Sequence, residues 1–318
     1  MSPDKIIMKT KEVTEAKKKS IINWPKVAII ILNWNGWKDT IECLESVFRN
    51  NYPNYQVIVV DNGSEGNDAD VLEEKYKNYI KVIRNKKNLG FCGGNNVGIK
   101  DAVKNGSDYV LLLNNDTTVE PNFLDELVKI ALRDEKISII GSVIADYYTK
   151  KIVFTNSKID RKLKAEVKLD YLDSKKDYWV TERVCGASMM IKTEHILKYS
   201  LFLDENLFMY CDEMDLCLRA RKKGLKVVMA GKSRIYHKEN TLEKLLNSLA
   251  TYYIIRNRIL LAKKLLSFKN RIIFWMLFVP ARAFRVLGWF LRDKGGLIKV
   301  TFAAFKDGIL GRGGKKEI

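Results

Sequence analysis

The sequence has few cysteines and few histidines. Its five cysteines are an odd number and form no CxxC pair, so they do not resemble the disulfide framework of a small secreted domain. The N-terminus carries Lys17, Lys18 and Lys19 but lacks the apolar segment that a secretory signal needs. These absences favour a protein of the reducing cytoplasm that is not exported. The two histidines are His195 and His237.

Positive charge is abundant, but it is concentrated at the two ends of the chain. Of the formal net charge of +18, residues 1–26 contribute +4 and residues 238–318 contribute +12, which leaves a nearly neutral body. With 47% hydrophobic residues in 318, the body can bury a substantial core. The cationic ends suit an anionic membrane or a nucleic acid.

Apolar runs alternate with helical patterns through the first half of the chain. The run VAIIIL at residues 27–32 has the length of a strand, and Thr40–Phe48 follows it with helical spacing. Strands that are apolar on both faces are typical of a mostly parallel sheet covered by helices on both sides. The other predicted elements here are strands at Val57–Val60, Lys81–Ile83 and Tyr109–Leu113 and helices near Val71–Tyr76 and Asn95–Val103.

Each predicted strand of this half is followed by a polar cluster. In such sheets ligands bind beyond the carboxyl ends of the strands, so the four clusters are expected to meet at one edge. Short polar side chains are also ordinary turn chemistry, and that explanation stays open for any single cluster. Four clusters at one edge favour a binding site. They are Asn33–Gly36, Asp61–Ser64, Asn88–Gly94 and Asn114–Asp116.

The second half adds core strands and a helix with an acidic front. Strands are predicted at Ile139–Ala145 and Val184–Ile191, and Phe208–Gly224 reads as a helix with its C-cap. Asp212 and Glu213 precede the basic residues of this helix. That order suits the helix dipole, so a purely electrostatic role is one explanation of the two acids.

The residues also suggest a site for a hard cation. Asp116, with Asn114 two residues earlier, is able to hold Mg²⁺ or Mn²⁺ that also takes phosphate oxygens from a ligand. His237 ends the strand-like run RIYH, and taken alone it favours a structural role. His195, on a predicted helix, is expected at the surface.

Eight segments occur in the order and spacing of a known family. They are IIILNWNG, VIVVDNGS, RNKKNLGFCGGNNVGI, YVLLLNNDTTVEP, VCGASMMI, FMYCDEMDLCLRARKKG, IYHKEN and YYIIRNRILL. In these segments the chain resembles family 2 glycosyltransferases of the GT-A fold, and most closely their rhamnosyltransferase-like branch. The resemblance runs from about Val27 to about Leu261.

The resemblance implies an α/β fold, namely the GT-A Rossmann-like three-layer α/β/α sandwich with a mostly parallel central sheet and, here, a C-terminal helical extension. We therefore expect a basic N-terminal extension at residues 1–25 and a GT-A domain at residues 26–262. A basic and apolar C-terminal helical segment is expected at residues 263–318.

The resemblance also implies the chemistry and the residues that perform it. Members use a nucleotide-sugar donor and invert the anomeric centre in one displacement. Asp116 and His237 are then the expected ligands of Mg²⁺ or Mn²⁺. For His237 this expectation replaces the structural role that the residue favours when taken alone. Asn114 stands at the position of the first acid of the family's D-x-D motif. Asp212 and Glu213 are the expected catalytic pair, with Glu213 preferred as the base. Expected donor-binding residues are Leu32, Asn33, Asn35, Asp61, Asn88, Gly90, Phe91, Asn95, Asn114 and Asn115, and expected acceptor-binding residues are Gly186 and Ala187.

The C-terminal segment mixes apolar and basic residues. Its apolar run at residues 272–279 is followed by Pro280, Arg282 and Arg285, which are expected to interrupt it before it reaches the about 20 uncharged residues of a clean membrane span. The mixture fits helices in the headgroup region of an anionic membrane, and a helical pair packed on the catalytic domain or on an oligomer partner is the alternative. The expected location is peripheral, at the cytoplasmic face of the cell membrane.

Two rival functions are a nucleotide-sugar-binding protein without catalysis and a nucleic-acid-binding protein. The positive charge avoids the predicted binding edge, and no aromatic-basic interleaving is found there, which disfavours nucleic acid. No G-x-G-x-x-G follows the first strand, which disfavours an NAD site. The predicted function is a metal-dependent inverting glycosyltransferase that moves a sugar, with rhamnose as one candidate, to a glycan or lipid-linked acceptor in cell-surface polysaccharide or glycoconjugate synthesis.

Overall fold

Strands and helices alternate along the chain. The computed structural model describes residues 24–160, 162–168, 176–238, 248–292 and 294–317, so most of the predicted N-terminal extension and part of the IYHKEN segment lie outside the described residues. The strands are β1 (Val27–Asn33), β2 (Tyr55–Asp61), β3 (Lys81–Arg84), β4 (Tyr109–Asn114), β5 (Thr117–Val119), β6 (Ile137–Asp146), β7 (Ile152–Phe154), β8 (Asn156–Ile159), β9 (Ala165–Lys168), β10 (Tyr178–Val180), β11 (Ser188–Lys192) and β12 (Lys226–His237). The α-helices are α1 (Trp37–Val47), α2 (Asp68–Tyr76), α3 (Gly90–Lys104), α4 (Phe123–Ala131), α5 (Thr193–Tyr199), α6 (Asp212–Lys222), α7 (Ser248–Leu265), α8 (Phe268–Phe290) and α9 (Gly295–Leu310).

One sheet organises the described part of the chain. Its strand order is β10-β12-β6-β11-β4-β1-β2-β3, with β5 beside β12 and β7 beside β6. β3, β2, β1 and β4 are parallel, and β6 and β12 are parallel to each other. β11 lies antiparallel between β4 and β6, a reversal that the sequence patterns did not indicate. The predicted mixed α/β fold with a mostly parallel central sheet is confirmed.

Helices cover both faces of the sheet. Ile29, Ile30 and Ile31 of β1 are all fully buried, which requires cover on both sides. On one face Gly98 of α3 packs against Ile30, close enough that a Cβ on the glycine would meet the isoleucine Cγ2 at 2.6 Å. On the other face Thr40 of α1 donates a hydrogen bond to the buried Asn33 at the end of β1. Helix α3 therefore covers the face of the sheet to which Ile30 points, and helix α1 covers the face to which Asn33 points.

The register of the parallel strands brings the predicted polar clusters to one edge. Asn33 of β1 is paired with Asp61 of β2, and Leu32 is paired with Asn114 of β4. Helix α3 begins at Gly90, five residues before the predicted start, so it places Phe91 and Asn95 in its first two turns. The expected common edge is present.

The C-terminal helical extension is also present, as the helices α7, α8 and α9, which contact one another. Helix α8 continues through Pro280, so the residues that interrupt the apolar run do not end the helix. Proline removes the hydrogen bond to the carbonyl four residues earlier, here that of Met276, and this residue is on the exposed side of the helix. By length and composition alone, the 23 residues of α8 are sufficient to cross a membrane.

Candidate active site

Pairing of β5 with β12 brings together two residues that are far apart in the sequence. Asp116 lies in the short turn between β4 and β5, and His237 at the end of β12 is paired with Thr117 of β5. As a result His237 Nε2 lies 3.1 Å from Asp116 Oδ1 and 3.4 Å from Asn114 Nδ2. Burial alone raises the pKa of Asp116, but the hydrogen bond and the electrostatic interaction with His237, together with the charge of Lys238, outweigh it and hold that pKa below its ordinary value.

These atoms fit a divalent cation. Asp116 and His237 are hydrogen-bonded to each other, so their facing oxygen and nitrogen atoms are close enough that both would be able to hold one ion. A carboxylate oxygen with an imidazole nitrogen suits Mn²⁺ and is acceptable to Mg²⁺. Within the described residues no cluster of three or more acidic, histidine or cysteine side chains is able to hold a metal. The two side chains leave most of the coordination sphere to a ligand and water.

A pocket next to this pair is formed by residues from five segments of the chain. The amide of Asn114 donates to the carbonyl of Ala187 at 3.1 Å, which fixes the turn before β11 against the end of β4. The N-terminal end of α6 closes the opposite side. Of the residues predicted from sequence, the pocket is lined by Phe91, Asn114, Gly186, Ala187, Asp212, Glu213 and His237, and Cys185, Met209 and Tyr210 complete it.

The turn that leads into α6 has an unusual backbone. Phe208, Tyr210 and Cys211 have positive φ angles of 63°, 64° and 63°, although none of them is glycine. Such conformations cost about 1–3 kcal/mol each and persist where the surrounding structure enforces them. The turn ends the 3₁₀ segment at Glu205–Leu207 and directs the start of α6 into the pocket.

Two adjacent residues of α7 hold this strained turn. Asn257 is fully buried, and its side-chain amide lies 2.8–2.9 Å from the carbonyl oxygens of Leu207, Met209 and Tyr210. Arg256, 1% exposed, also donates to the Leu207 carbonyl at 2.9 Å. We did not predict these roles, because the RN pair within YYIIRNRILL looks like any polar pair in a helix until α7 is docked on the turn.

The two acids at the start of α6 have different surroundings. Glu213 forms a largely buried ion pair with Arg183, which precedes β11. Burial alone lowers the pKa of Arg183, but the charge of Glu213 outweighs it and raises that pKa above its ordinary value. Asp212, 4% exposed, lines the same pocket. Arg183 is a further site residue that the sequence did not reveal, since it lies about 30 residues from Glu213 in an irregular segment.

The loops after β1 and β2, where the nucleotide is predicted to bind, are joined by a buried network of hydrogen bonds. Asn33 donates to Asp61 Oδ1 and to Asp68 Oδ2, each at 3.0 Å, and Ser64 donates to Asp61 Oδ1 at 2.6 Å. Asn35 is exposed, with a φ of 52° and its amide bonded to the Ser64 hydroxyl. Asp68 also accepts from the amides of Gly36 and Trp37 at the start of α1. The network makes the loop after β1 rigid, and its acid Asp68 was not predicted.

The loop before α3 is held in a similar way. Asn88 Oδ1 accepts from the amide of Gly90 at 2.7 Å and from Asn62 Nδ2 at 3.1 Å, which ties the loop to the end of β2. Gly90 has a φ of 74°, and a Cβ on it would lie 2.4 Å from the Phe208 carbonyl oxygen. The side-chain amide of Asn95 donates to the Phe91 carbonyl, so this hydrogen bond lies within helix α3.

Three other predicted residues lie at or beyond the edge of this site. Leu32 packs against α3, where a Cβ on Gly94 would meet it at 2.4 Å. Asn115 points to α1 and donates to Thr40 Oγ1 at 3.1 Å. His195 is 6% exposed on α5, at the far end of β11 from the pocket, so its expected surface position is wrong. Its ring packs on Tyr199 in the next turn of the helix.

The fold and the site define an α/β protein with a polar edge at the carboxyl ends of its parallel strands, beside a pocket that contains two carboxylates. A family model for glycosyl transferase family 2 matches residues 28–199, more than half of the chain. The chain therefore belongs to glycosyl transferase family 2. The predicted family and the predicted class of glycosyltransferase are confirmed at this level, whereas the rhamnosyltransferase-like branch and the domain boundaries stay predictions.

Individual relatives and solved structures agree with this family. Agl10 of Haloferax volcanii, a low-salt glycan biosynthesis hexosyltransferase, is 24% identical over 295 residues, which is 92% of this chain and 93% of that protein. A glycosyltransferase of Haemophilus influenzae is 29% identical over 124 residues, but the match spans only 38% of either chain. Crystal structures show the same fold in S. aureus TarS 1-349 with UDP-GlcNAc, at a TM-score of 0.61 and 16% identity over 90% of this chain and 81% of that one. The mannosyltransferase PcManGT of Pyrobaculum calidifontis with GDP-Man and Mn²⁺ aligns at a TM-score of 0.58 and 12% identity, over 96% and 94%.

Proposed function

We propose that this protein transfers a sugar from a nucleotide-sugar donor to a hydroxyl group of a glycan or lipid-linked acceptor, with inversion of the anomeric centre and with a divalent cation. The observation that carries the proposal is the convergence on one pocket of His237, which contacts Asp116, with Asp212 and Glu213. Asp116, the acidic pair and His237 lie on three separate segments of the chain, and helix electrostatics alone gives no reason for them to meet. The complexes of TarS with UDP-GlcNAc and of PcManGT with GDP-Man and Mn²⁺ support this choice of donor class and cofactor.

In the proposed reaction Asp116 and His237 hold Mg²⁺ or Mn²⁺. A divalent ion bound there supplies positive charge beside the donor's diphosphate. Asn114, next to His237, contributes a neutral amide rather than a second carboxylate, so Asp116 is the acid on which cation binding depends. The two protein ligands leave the remaining positions for phosphate oxygens and water, as is usual for Mg²⁺ in nucleotide enzymes.

We assign proton removal to Glu213, with Asp212 as the neighbouring alternative. An inverting displacement needs a base within about 3 Å of the attacking hydroxyl. Glu213 lines the pocket, and Arg183 fixes one of its oxygens so that its direction is defined. Gly186 and Ala187 line the same pocket without bulky side chains and leave room for an acceptor. In this arrangement Glu213 takes the proton of the hydroxyl as its oxygen bonds to the donor carbon from the side opposite the diphosphate. The bond between that carbon and the diphosphate breaks at the same time, and the nucleoside diphosphate leaves.

The donor is assigned to the edge formed by the loops after β1, β2, β3 and β4. Polar side chains there are locked by hydrogen bonds, so the nucleotide meets a preformed surface. The resemblance to the rhamnosyltransferase-like branch makes a rhamnosyl nucleotide the first donor to test. The proposed donor residues are Leu32, Asn33, Asn35, Asp61, Asn88, Gly90, Phe91, Asn95, Asn114 and Asn115.

A panel of sugar nucleotides tests the proposal, with thermal unfolding measured with and without Mn²⁺ or Mg²⁺. A donor that binds the native state raises the melting temperature, and we expect this shift to require the cation. Donor consumption and transfer to a glycan acceptor are then measured with the stabilising nucleotide. Stabilisation without any hydrolysis or transfer would favour the binding protein without catalysis, and the absence of stabilisation by any sugar nucleotide contradicts both.

The proposed location is the cytoplasmic face of the cell membrane, where nucleotide sugars and lipid-linked acceptors meet. The basic C-terminal helices are the part of the chain assigned to this contact. Fractionation of cells that produce the full chain tests it, and recovery of the protein in the soluble fraction at low salt contradicts it.

A further inference from the structure

The pair of helices α8 and α9 exposes an unusual amount of apolar surface. Large apolar side chains that are more than 60% exposed recur along both helices and the short connection between them. Monomeric soluble proteins seldom expose a continuous apolar patch larger than a few hundred Å². The residues concerned are Phe268, Met276, Phe284, Phe290, Leu291 and Phe302.

A cleft between the two helices deepens this surface. Its walls are almost entirely apolar and include Val279, Val286, Phe290, Ile298 and Phe302. The inner face of α8 is sealed by Phe274 and Phe278, which are buried against the rest of the protein. The cleft is therefore open on the outside and closed at its base, a shape that suits a hydrocarbon chain.

Arg282 forms part of the cleft wall, and Arg258 and Arg285 lie near it. The guanidinium carbons of Arg258 and Arg282 lie 4.7 and 5.3 Å from the centre of the same Phe278 ring. Among the described residues Arg282 and Arg285 form no ion pair, and the Nε of Arg282 is buried without a hydrogen-bond acceptor. Burial and the charges of Arg258 and Arg285 lower the pKa of Arg282 to about 10. Several guanidinium groups thus repel one another beside an apolar cleft.

The charge of the arginines and the apolar walls of the cleft together indicate which kind of molecule binds there. A second copy of the same helices would bring like charges together, which opposes association through this face. Nucleic acid matches the charge, but it has no hydrocarbon for the cleft. An anionic phospholipid supplies a phosphate for the arginines and an acyl chain for the apolar walls, and each Lys or Arg near an anionic surface adds about 1 kcal/mol to binding.

We propose that the α8–α9 cleft, with Arg282 and Arg285, binds a phospholipid of an anionic bilayer, with an acyl chain in the cleft and the phosphate beside the two arginines. This proposal rests on the proposed function, because it assigns the membrane contact of that enzyme to a defined site. On α7, Arg256 and Asn257 hold the turn before α6, and the next residue, Arg258, lies over Phe278 of α8. Helix α7 therefore connects the proposed lipid site on α8 with the turn that precedes the proposed catalytic acids.

The test is co-sedimentation of the full chain with vesicles of phosphatidylcholine alone or mixed with phosphatidylglycerol. We expect binding to the anionic vesicles only, weakened by added salt because surface charge is screened. The double variant Arg282→Gln/Arg285→Gln should lose about tenfold or more in vesicle affinity, since two charges near the surface are removed. Phe290→Ala/Phe302→Ala should weaken binding while the salt dependence remains.

Matched controls separate the site from general charge. Arg49→Gln/Arg84→Gln removes the same net charge from the surface of the body and should leave vesicle binding almost unchanged. Stabilisation by a sugar nucleotide should be normal in all of these variants, so loss of lipid binding is distinguishable from failure of the proposed function. This measurement also confirms that each variant is folded, and the salt titration of the unmodified chain tests the idea without any variant.

Several results would overturn the proposal. Equal binding to neutral and anionic vesicles, no binding to either, or an equal loss in the control variant would each do so. A lipid-free dimer that is disrupted by the Phe290/Phe302 variant would show that a second copy covers the face. Binding of a short-chain isoprenyl phosphate in solution, without any vesicle binding, would show that the occupant is a single lipid ligand and not the bilayer.

Discussion

His237 Nε2 lies 3.1 Å from Asp116 Oδ1, although the two residues are 121 positions apart in the chain. The pairing of β5 with β12 produces this contact, because it sets His237 opposite Thr117. Position 114 is an asparagine and supplies no second carboxylate beside Asp116. Neither Asp116 nor His237 is therefore sufficient as a metal site alone. Together they place a carboxylate oxygen and an imidazole nitrogen in contact, and both atom types are able to bind a divalent cation.

We predict that Asp116→Asn removes most of the activity while leaving the fold intact. The substitution keeps the shape of the side chain but removes the charge that holds the cation, so transfer should fall at least about 100-fold, given that metal stabilisation is worth several kcal/mol. Calorimetric titration with Mn²⁺ and donor measures the loss of binding. Asp134→Asn, on a partly exposed acid that is paired with Lys226 away from the pocket, is the control and should behave like the unmodified chain. Normal metal-dependent transfer by Asp116→Asn would contradict the assignment.

We predict different kinetics for the two acids at the start of α6. Glu213→Gln should lower kcat by about 10²–10⁴-fold, the usual contribution of a general base, with little change in the KM of the donor. Asp212→Asn should have the smaller effect on kcat if Glu213 is the base. Steady-state kinetics with both variants decide between them, and the reverse order would assign the base to Asp212.

We predict that Asn257→Ala impairs turnover through the turn before α6. The carbonyl oxygens of Met209 and Tyr210 lose this donor, while that of Leu207 keeps Arg256, at a cost of about 1–3 kcal/mol in stability if they remain buried. The turn should then relax, so kcat should fall more than donor stabilisation does, a split that a general loss of stability does not produce. Asn105→Ala, at the exposed end of α3, is the control. If kcat and donor binding fall equally, Asn257 does not position the turn.

We predict that Gly90→Ala destabilises the protein and weakens donor binding together. The added Cβ would lie 2.4 Å from the Phe208 carbonyl, and a φ of 74° is unfavourable for alanine. Overpacking of this kind costs about 1–3 kcal/mol, which denaturant unfolding measures. Gly106→Ala is the comparison, since Gly106 also has a positive φ of 69° but no atom lies within 4 Å of its added Cβ. A larger loss at Gly106 than at Gly90 would show that backbone conformation, and not the Phe208 contact, dominates.

We predict that Cys185 is the first cysteine to react with a thiol reagent. It lines the proposed active site and is partly exposed, whereas the other four cysteines are buried. Burial raises the pKa of Cys43, Cys211 and Cys217 to about 12, so near neutral pH these thiols carry almost no reactive thiolate, and their labelling should rise only at strongly alkaline pH. Mass spectrometry after brief alkylation should find one modified site, protected by the donor with its cation. Earlier labelling of a buried cysteine would contradict this order.

Much of the sheet and part of the site follow from local sequence. The apolar run of β1 and the polar residues after it predict a buried parallel strand with a binding loop, because side-chain burial and turn chemistry act over a few residues. The antiparallel insertion of β11 was not predictable, since an apolar strand of five residues has the same pattern in either direction. The buried position of His195 was missed for a similar reason, because a short helix does not show which face it covers.

The sequence by itself determined the α/β pattern, the family resemblance and the types of side chain at the ends of the strands, because these depend on neighbouring residues and on the order of the segments. Only the tertiary structure decided which distant groups meet. It placed His237 beside Asp116, Arg183 beside Glu213 and Asn257 under the turn before α6, through strand pairing and helix docking between segments that are far apart in the chain. Such contacts depend on how whole elements pack, and that information is not local to any stretch of residues.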